Sequence, residues 1–221
     1  MDKAQQELLR RAASVIGHDL RNPLAVINNS AYFVRAKLGG KNLDPKVEKH
    51  LKIIESEITR ADKLIGDMLT FSRPFEPALE TKELDAVVSD AVDAYVPPEG
   101  GKVDLKLGAK GAAAKFDVKA LHDSIRRLLD NAFAAQEDKG TVKVATSSAK
   151  DGLSVAVSDA GKGVDPKIEA VMYEVFMTTK PKGMGLGLSL ARKFMESAGG
   201  SVSHETGPKG STFRLVLPKA G

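Results

Sequence analysis

The histidine at position 18 stands in a setting that suits nucleophilic chemistry. A carboxylate, Asp19, follows it directly, and the amide of Asn22 comes one helical turn later. An exposed imidazole is largely uncharged at neutral pH, so it can attack an electrophile. The rest of the chain must therefore supply whatever His18 attacks.

Asn131 and Asp159 carry groups that suit a bound nucleotide. An amide oxygen can serve as a hard, neutral ligand for a Mg²⁺ ion whose other ligands are mainly phosphate oxygens. A carboxylate can accept a hydrogen bond from the exocyclic amine of adenine. Gly161 and Gly163 allow the backbone to approach a flat ring closely. Both motifs also have a purely structural interpretation. Asn131 would then be an ordinary asparagine on a helix surface, and Asp159 with its glycines would form a turn, where Asp and Gly are common.

A second glycine-rich run, Gly183-Met184-Gly185-Leu186-Gly187, opens a predicted helix after the loop Thr178-Thr179-Lys180-Pro181-Lys182. Backbone amides at a helix start suit phosphate oxygens, although a flexible loop with a helix cap would look similar. A P-loop is excluded because no glycine is followed after four residues by Gly-Lys-Ser or Gly-Lys-Thr. A dinucleotide fingerprint fails because no predicted strand feeds this turn.

Length and composition limit the possible functions. The chain has 221 residues, enough for two modest domains, and the absence of cysteine excludes disulfides, thiolate chemistry and cysteine-ligated metal. A net charge of +4, without basic clusters interleaved with aromatic residues, gives no argument for nucleic acid. No apolar run approaches the roughly 20 residues of a membrane span. We therefore expect a soluble, cytoplasmic chain with no membrane segment.

Apolar residues recur at spacings of three and four in two long segments, which predicts two amphipathic helices. The first stripe comprises Leu9, Ala13, Ile16, Leu20, Leu24, Ile27, Ala31, Val34 and Leu38, and the second comprises Val47, Leu51, Ile54, Ile58, Ala61, Ile65 and Met68. Turn residues lie between the two segments at Gly39–Pro45. His18 lies about 200° around the first helix from Ile16 and so points away from the apolar stripe. A hairpin cannot bury both stripes alone, so we predict that two copies pair into a four-helix bundle.

The segment Ser72–Pro77 breaks this pattern and is typical of a linker, which predicts domains at residues 1–75 and 76–221. Beyond it, period-two alternation indicates strands with one buried face. Strands are predicted at Lys102–Leu107, Thr141–Thr146, Leu153–Ser158 and Ser211–Leu217, and helices at Leu84–Tyr95, Val118–Gln136 and Leu186–Ala198. This pattern favours a two-layer α+β sandwich.

In this order the motifs resemble those of the histidine kinases of two-component systems, and of the wider superfamily that includes chaperone and topoisomerase ATPases. The resembling motifs are the phosphoacceptor box His18-Asp19-Leu20-Arg21-Asn22-Pro23-Leu24, the asparagine box at Asn131, the first glycine box Asp159-x-Gly161-x-Gly163, the phenylalanine box Tyr173-Glu174-Val175-Phe176-Met177-Thr178-Thr179-Lys180, the second glycine box Gly183-Met184-Gly185-Leu186-Gly187, and the last-strand motif Gly210-Ser211-Thr212-Phe213. The resemblance spans about Leu9 to Pro218. It implies a dimerisation and histidine phosphotransfer hairpin, followed by a catalytic domain with the Bergerat (GHKL) ATP-binding fold.

The resemblance also implies phosphoryl transfer from ATP with Mg²⁺. His18 would attack the γ-phosphate, and Asp19 would orient the imidazole or accept its proton. Asn22 would hold the water that removes the phosphoryl group from the phosphorylated response regulator. Asn131 would hold the metal, and Asp159 would recognise adenine. Further nucleotide contacts are expected from Gly161, Gly163, Phe176, Thr179, Lys180, Gly183, Gly185, Leu186, Gly187, Thr212 and Arg127. The phosphoryl group would then pass to an aspartate in the receiver domain of a response regulator.

Departures from the family pattern carry information. Arg127 stands four residues before Asn131, where the related ATPases have a glutamate base, and an arginine cannot deprotonate water. Ala134 stands where the family often has a basic residue, so Lys180 or Lys182 is expected to supply a phosphate contact. The loop between Phe176 and Gly183, here called the lid, is short, which suggests little reorganisation on nucleotide binding.

Two alternatives stay open on the sequence alone. One is a non-catalytic docking scaffold with a structural nucleotide, and the other is an ATPase or serine kinase of the same superfamily. The remaining histidines, His50, His122 and His204, have no ligand spacing around them and are expected to serve surface or packing roles.

Overall fold

A computed structural model of the chain describes residues 3–38, 44–149, 152–180 and 183–218; the side chains of residues 3–12 and 14 are outside this description. The chain divides into two compact units, Met1–Pro74 and Phe75–Gly221. The predicted turn at residues 39–43, and Lys182 in the lid, lie outside the described residues.

The first unit is a pair of long helices. Helix α1 spans Lys3–Lys37 and continues through Pro23, and helix α2 spans Pro45–Ser72. Asp44 caps α2 because its side chain accepts from the backbone amide of Lys46 at 2.7 Å. The helices approach closely at Gly17, where a Cβ would lie 3.1 Å from side-chain carbons of Ile65 and Leu69. The predicted hairpin pattern therefore corresponds to two packed helices.

A single pair of helices leaves much of the first apolar stripe in contact with solvent. Ala13 and Ala31 are buried and Leu24 is half-buried, but five larger members remain between 42% and 52% exposed: Ile16, Leu20, Ile27, Val34 and Leu38. Exposed apolar surface on this scale indicates an interaction face. The first unit thus exposes the apolar surface that we predicted for a hairpin without a partner.

The second unit combines strands and helices. Its elements are β1 (Glu80–Glu83), α3 (Leu84–Asp93), β2 (Gly101–Lys106), β3 (Ala113–Phe116), α4 (Val118–Ala135), β4 (Gly140–Ala149), β5 (Gly152–Ser158), α5 (Pro166–Glu169), α6 (Gly187–Ser197), β6 (Ser201–Gly207) and β7 (Gly210–Leu217). Five of these strands form one sheet with the order β2-β4-β5-β7-β6. Strands β2 and β4 are parallel, and the other pairs in this sheet are antiparallel.

Helices α3, α4 and α6 pack on the sheet, and the core lies between these two layers. Along β5 and β7, buried residues alternate with partly exposed ones, as expected when one face of a strand is covered. Helix α4 contributes the largest buried set, including Leu121, Ile125, Leu128, Leu129 and Phe133. The α+β sandwich predicted from the strand periodicity is confirmed.

The structure adds elements that the sequence pattern did not indicate. Strands β1 and β3 form a separate two-stranded antiparallel sheet, and β6 and the short helix α5 complete the unit. All four residues of β1 are exposed, so this strand carries no alternating apolar signal. Strand β6 also lacks an alternating apolar signal, because Val202 is the one apolar side chain among its seven residues. The other six are Ser, Ser, His, Glu, Thr and Gly.

Candidate functional site

His18 lies on α1 with its side chain 76% exposed. Its Nδ1 is 3.4 Å from Oδ1 of Asp19, and Asn22 is also exposed on this helix. A separation of 3.4 Å is long for a hydrogen bond, but it leaves Asp19 beside one ring nitrogen and leaves Nε2 directed elsewhere. The neighbouring Arg21 donates through Nε to Asp62 on α2 at 2.7 Å, which ties this segment to the second helix.

Asp159 comes directly after β5, as the sequence indicated. Its Oδ1 accepts from the backbone amides of Gly161 at 2.8 Å and Ser211 at 3.2 Å. The adjacent side chains of Ser158 and Thr212 share a hydrogen bond of 2.8 Å. Asp159, Ser211 and Thr212 line one surface depression together with the turn that joins β6 to β7. The predicted adenine contacts, Asp159 and Thr212, therefore lie on the same surface.

The glycines of the first glycine box make close backbone contacts. A Cβ on Gly161 would lie 2.6 Å from the carbonyl oxygen of Ala135, at the end of α4. Gly163 has φ of +77°, and a Cβ there would lie 2.2 Å from the carbonyl oxygen of Gly207. Larger residues would push this loop off α4 and β6, so these glycines fix the position of Asp159 as well as allowing access.

The second glycine box packs against the phenylalanine box. Gly185 has φ of +71°, and a Cβ there would lie 2.5 Å from backbone atoms of Phe176 and Met177. Phe176 itself has φ of +67° and is 60% exposed. Leu186 buries its side chain in the second unit, so only its backbone is available to a ligand. The two boxes thus form one continuous loop surface.

Asn131, on α4, faces a cation across this surface. The Nζ of Lys180 donates to Oδ1 of Asn131 at 2.8 Å, and a Cβ on Gly187, the first residue of α6, would lie 3.6 Å from its Nδ2. Gly183 lies close to the hydroxyl of Thr178, and Thr179 is exposed in the same segment. The amide oxygen of Asn131 thus accepts from a positively charged group, and its role as a Mg²⁺ ligand stays a prediction.

Arg127 is buried on α4, one turn before Asn131. Its side chain is 5% exposed, and its Nε donates to Asp123 at 2.7 Å. Burial acts to raise the pKa of Asp123, but the charge of Arg127 and hydrogen bonds from Arg126 and Arg127 outweigh it and lower the pKa. The phosphate contact of Arg127 stays a prediction, and the structure gives this guanidinium a carboxylate partner on its own helix.

Two residues of β6 hold the segment that leads to the lid, and the sequence did not single out either role. Thr206 accepts from the backbone amide of Val164 at 2.8 Å. His204 lies 3.2 Å from the hydroxyl of Tyr173 and 3.1 Å from a carboxylate oxygen of Glu169. Burial raises the pKa of Tyr173 to about 12. The sequence signal that could have revealed these roles is the two-residue spacing of His204 and Thr206, which places both side chains on one face of a strand.

Two family models match the chain and account for most of its length. The His Kinase A (phospho-acceptor) domain matches residues 8–74, and the Histidine kinase-, DNA gyrase B-, and HSP90-like ATPase matches residues 116–221. The first covers His18, and the second covers the Asn131 and Asp159 surfaces described above. The chain belongs to the histidine kinase family.

Relatives of this histidine kinase chain agree over nearly its whole length. It is 28% identical over 209 residues to the signal transduction histidine-protein kinase AtoS of Escherichia coli K12, covering 92% of this chain and 34% of AtoS. It is 30% identical over 217 residues to the sensor protein FixL of Bradyrhizobium diazoefficiens, covering 94% of this chain and 43% of FixL. The chain therefore spans less than half the length of these relatives.

Solved histidine kinase structures share the fold. Full-length ShkA in complex with AMPPNP superposes with a TM-score of 0.73 at 20% identity, covering 96% of this chain and 47% of ShkA. The catalytic domain of ThkA gives a TM-score of 0.57 at 21% identity, covering 64% of this chain and 96% of that domain. Among the described residues, no helix of this histidine kinase is both long and apolar enough to span a membrane.

Proposed function

We propose that this chain is the kinase core of a sensor protein that phosphorylates His18 from ATP and passes the phosphoryl group to an aspartate of a response regulator. The observation that carries the proposal is an exposed His18 beside Asp19 in the phospho-acceptor unit. The same chain carries Asn131, Asp159 and the two glycine boxes, which we expect to bind the nucleotide. Since ATP is the donor, we expect the chain to work in the cytoplasm.

The position of Asp19 favours Nε2 of His18 as the nucleophile. Nδ1 is the nitrogen beside Asp19, so an Nδ1 proton directed at the carboxylate leaves the Nε2 lone pair available. Nε2 attacks the γ-phosphorus, the bond to the bridging oxygen breaks, and ADP leaves with that electron pair. The Nδ1 proton passes to Asp19 or to water, which leaves a neutral phosphoimidazole. The phosphorus–nitrogen bond is labile, so His18 acts as a carrier.

The nucleotide residues position the donor. Asp159 accepts from the adenine amine through a carboxylate already fixed by the amides of Gly161 and Ser211. The backbone at Gly185 and Gly187 approaches the phosphates, and Lys180 adds positive charge. Asn131 would hold Mg²⁺, which when bound supplies charge neutralisation of the phosphates. We also propose that two copies of the hairpin pair, because the half-exposed stripe of α1 needs a cover.

Asn22 supports a reverse activity toward the phosphorylated response regulator. It lies one turn from His18 on the exposed part of α1, where an amide can hold a water by hydrogen bonds. We propose that Asn22 orients this water when the receiver domain docks.

Labelling with γ-labelled ATP tests the kinase function. The wild-type chain, incubated with Mg²⁺, is expected to gain an acid-labile, alkali-stable phosphate because the product is a phosphoimidazole. His18→Ala is expected to lose this label but to keep binding a fluorescent ATP analogue. His50→Ala, which changes another exposed histidine of the helical unit, is the matched control and should label normally. Nucleotide binding without an acid-labile label would favour a docking scaffold, and an acid-stable label would favour a serine kinase.

A further inference from the structure

The hydrogen bond between Lys180 and Asn131 joins a lid cation to the side chain expected to hold the metal. The two residues are 49 positions apart, and Nζ lies 2.8 Å from Oδ1. This short distance is typical of a hydrogen bond with a charged donor. The nucleotide surface therefore has an ammonium group at the oxygen that Mg²⁺ would use.

An ammonium group and a divalent cation compete for this oxygen. Oδ1 has two lone pairs, but a Mg²⁺ ion and an ammonium group bound to it together would place two positive charges a few ångströms apart, and these charges repel. We therefore expect metal binding at Asn131 to favour movement of the Nζ of Lys180 away from Oδ1.

The backbone of Lys180 is anchored, while its side chain is exposed. The amide of Lys180 donates to the hydroxyl of Thr178 at 3.0 Å, and a Cβ on Gly183 would lie 3.4 Å from the Cβ of Lys180. These contacts fix where the side chain begins. Its flexible four-carbon stem allows the ammonium group to change partner without movement of the backbone.

We infer that Lys180 is a stand-in for Mg²⁺ at Asn131. Its ammonium group holds the amide oxygen toward the phosphate position in the metal-free protein and gives this oxygen up when the metal enters with nucleotide. The inference rests on the proposed function, since it assumes that ATP binds at this surface. It makes Lys180 a positioning residue that lowers the dependence of nucleotide binding on the metal.

Nucleotide binding with and without metal tests this role. The dissociation constant of a fluorescent ADP analogue is measured in excess Mg²⁺ and in excess EDTA, and the ratio of the second value to the first is the metal effect. Lys180→Met keeps an unbranched, flexible side chain of nearly the same length but removes its charge. We expect a metal effect about tenfold larger in this variant, because nucleotide then has no substitute cation and the metal displaces nothing.

Two further variants separate this role from a general charge effect. Lys167→Met removes an exposed lysine of α5 and should leave the metal effect at the wild-type value. In the Asn131→Ala background, Lys180→Met should no longer change the metal effect, because the shared oxygen is gone.

Each result bears on the inference. Equal metal effects in the wild type and Lys180→Met would overturn it, even if His18 is labelled normally and the proposed function holds. A tenfold rise also seen in Lys167→Met would overturn it as well, because the effect would then come from net charge. Failure of the wild-type chain to bind the analogue in Mg²⁺ would overturn both the inference and the proposed function.

Discussion

Gly163 and Gly207 meet across one of the tightest backbone contacts of the second unit. Gly163 has a positive φ, and a Cβ there would overlap the carbonyl oxygen of Gly207. Gly207 has open space where its own Cβ would be, because no heavy atom of the described residues lies within 4 Å of that position. A side chain added at Gly163 would therefore clash with the backbone, whereas one added at Gly207 would not.

This difference predicts opposite results for two matched substitutions. Gly163→Ala should lower the free energy of unfolding of the second unit by about 2 kcal/mol and weaken nucleotide binding, because the added carbon displaces the first glycine box. Gly207→Ala should change that free energy by less than about 0.5 kcal/mol. Urea unfolding followed by circular dichroism measures both. Equal stability of the two variants would show that the loop position does not depend on Gly163.

Arg127 shows how a residue's surroundings alter what its type suggested. The sequence placed it near phosphates, where a guanidinium is a common ligand. The structure buries it against Asp123, whose lowered pKa reflects that pairing. An arginine paired with a carboxylate has less to gain from a phosphate, so we expect exposed lysines such as Lys180 to contact the phosphates instead.

At the scale of elements, β6 does more than complete the sheet. It is the edge strand beside β7, and its residues Thr206 and His204 bond to the segment between the first glycine box and the lid. Thr206 also shares a hydrogen bond of 2.9 Å with Ser211, whose amide reaches Asp159. One strand thus connects the surface around Asp159 to the segment that leads to the lid.

Removing one hydroxyl from β6 tests this connection. Thr206→Val keeps the shape of the side chain but takes away the acceptor of the Val164 amide, so exchange of this amide with solvent should quicken by about tenfold. NMR of a chain isotopically labelled at valine measures this rate. Thr141→Val, which makes the same change at an exposed position of β4, should leave it unaltered. Unchanged exchange in Thr206→Val would mean that β6 does not hold the segment.

For the whole molecule, we expect the exposed stripe of α1 to determine the oligomeric state. Ile27 is 47% exposed within one chain, and the stripe to which it belongs runs along much of α1. Burying such a stripe against a second copy removes apolar area from water and provides the dominant favourable term for association.

A charge in this stripe should therefore break the dimer. We expect the wild-type chain to sediment as a dimer and Ile27→Glu to sediment as a monomer at the same micromolar concentration, since a carboxylate buried without a partner is costly. Asn29→Glu adds the same charge about 200° around the helix and should stay dimeric. Analytical ultracentrifugation distinguishes these states. A dimeric Ile27→Glu would place the interface on another face of the hairpin.

The sequence alone predicted the long and strongly periodic elements. Helices α1, α2 and α4 and strands β5 and β7 follow from local spacing of apolar residues. The ends of α4, β5 and β7 differ from the predictions by one residue at most, whereas α1 and α2 extend beyond the apolar stripes that predicted them. Strand β1 and helix α5 were missed because they are short and largely polar. Their formation depends on distant partners, as when residues of β1 pair with residues of β3 that are 30 to 36 positions away.

The functional motifs were likewise present in the sequence, because the order of the boxes does not depend on tertiary structure. Residue types identified His18, Asn131 and Asp159 as groups able to do chemistry. Only the folded chain placed the Lys180 ammonium group on Asn131 and packed Gly163 against Gly207. Local spacing reports which face of a helix or strand is buried. Contacts across 40 or more residues are decided by how turns and layers bring separate elements together, and no local pattern records that.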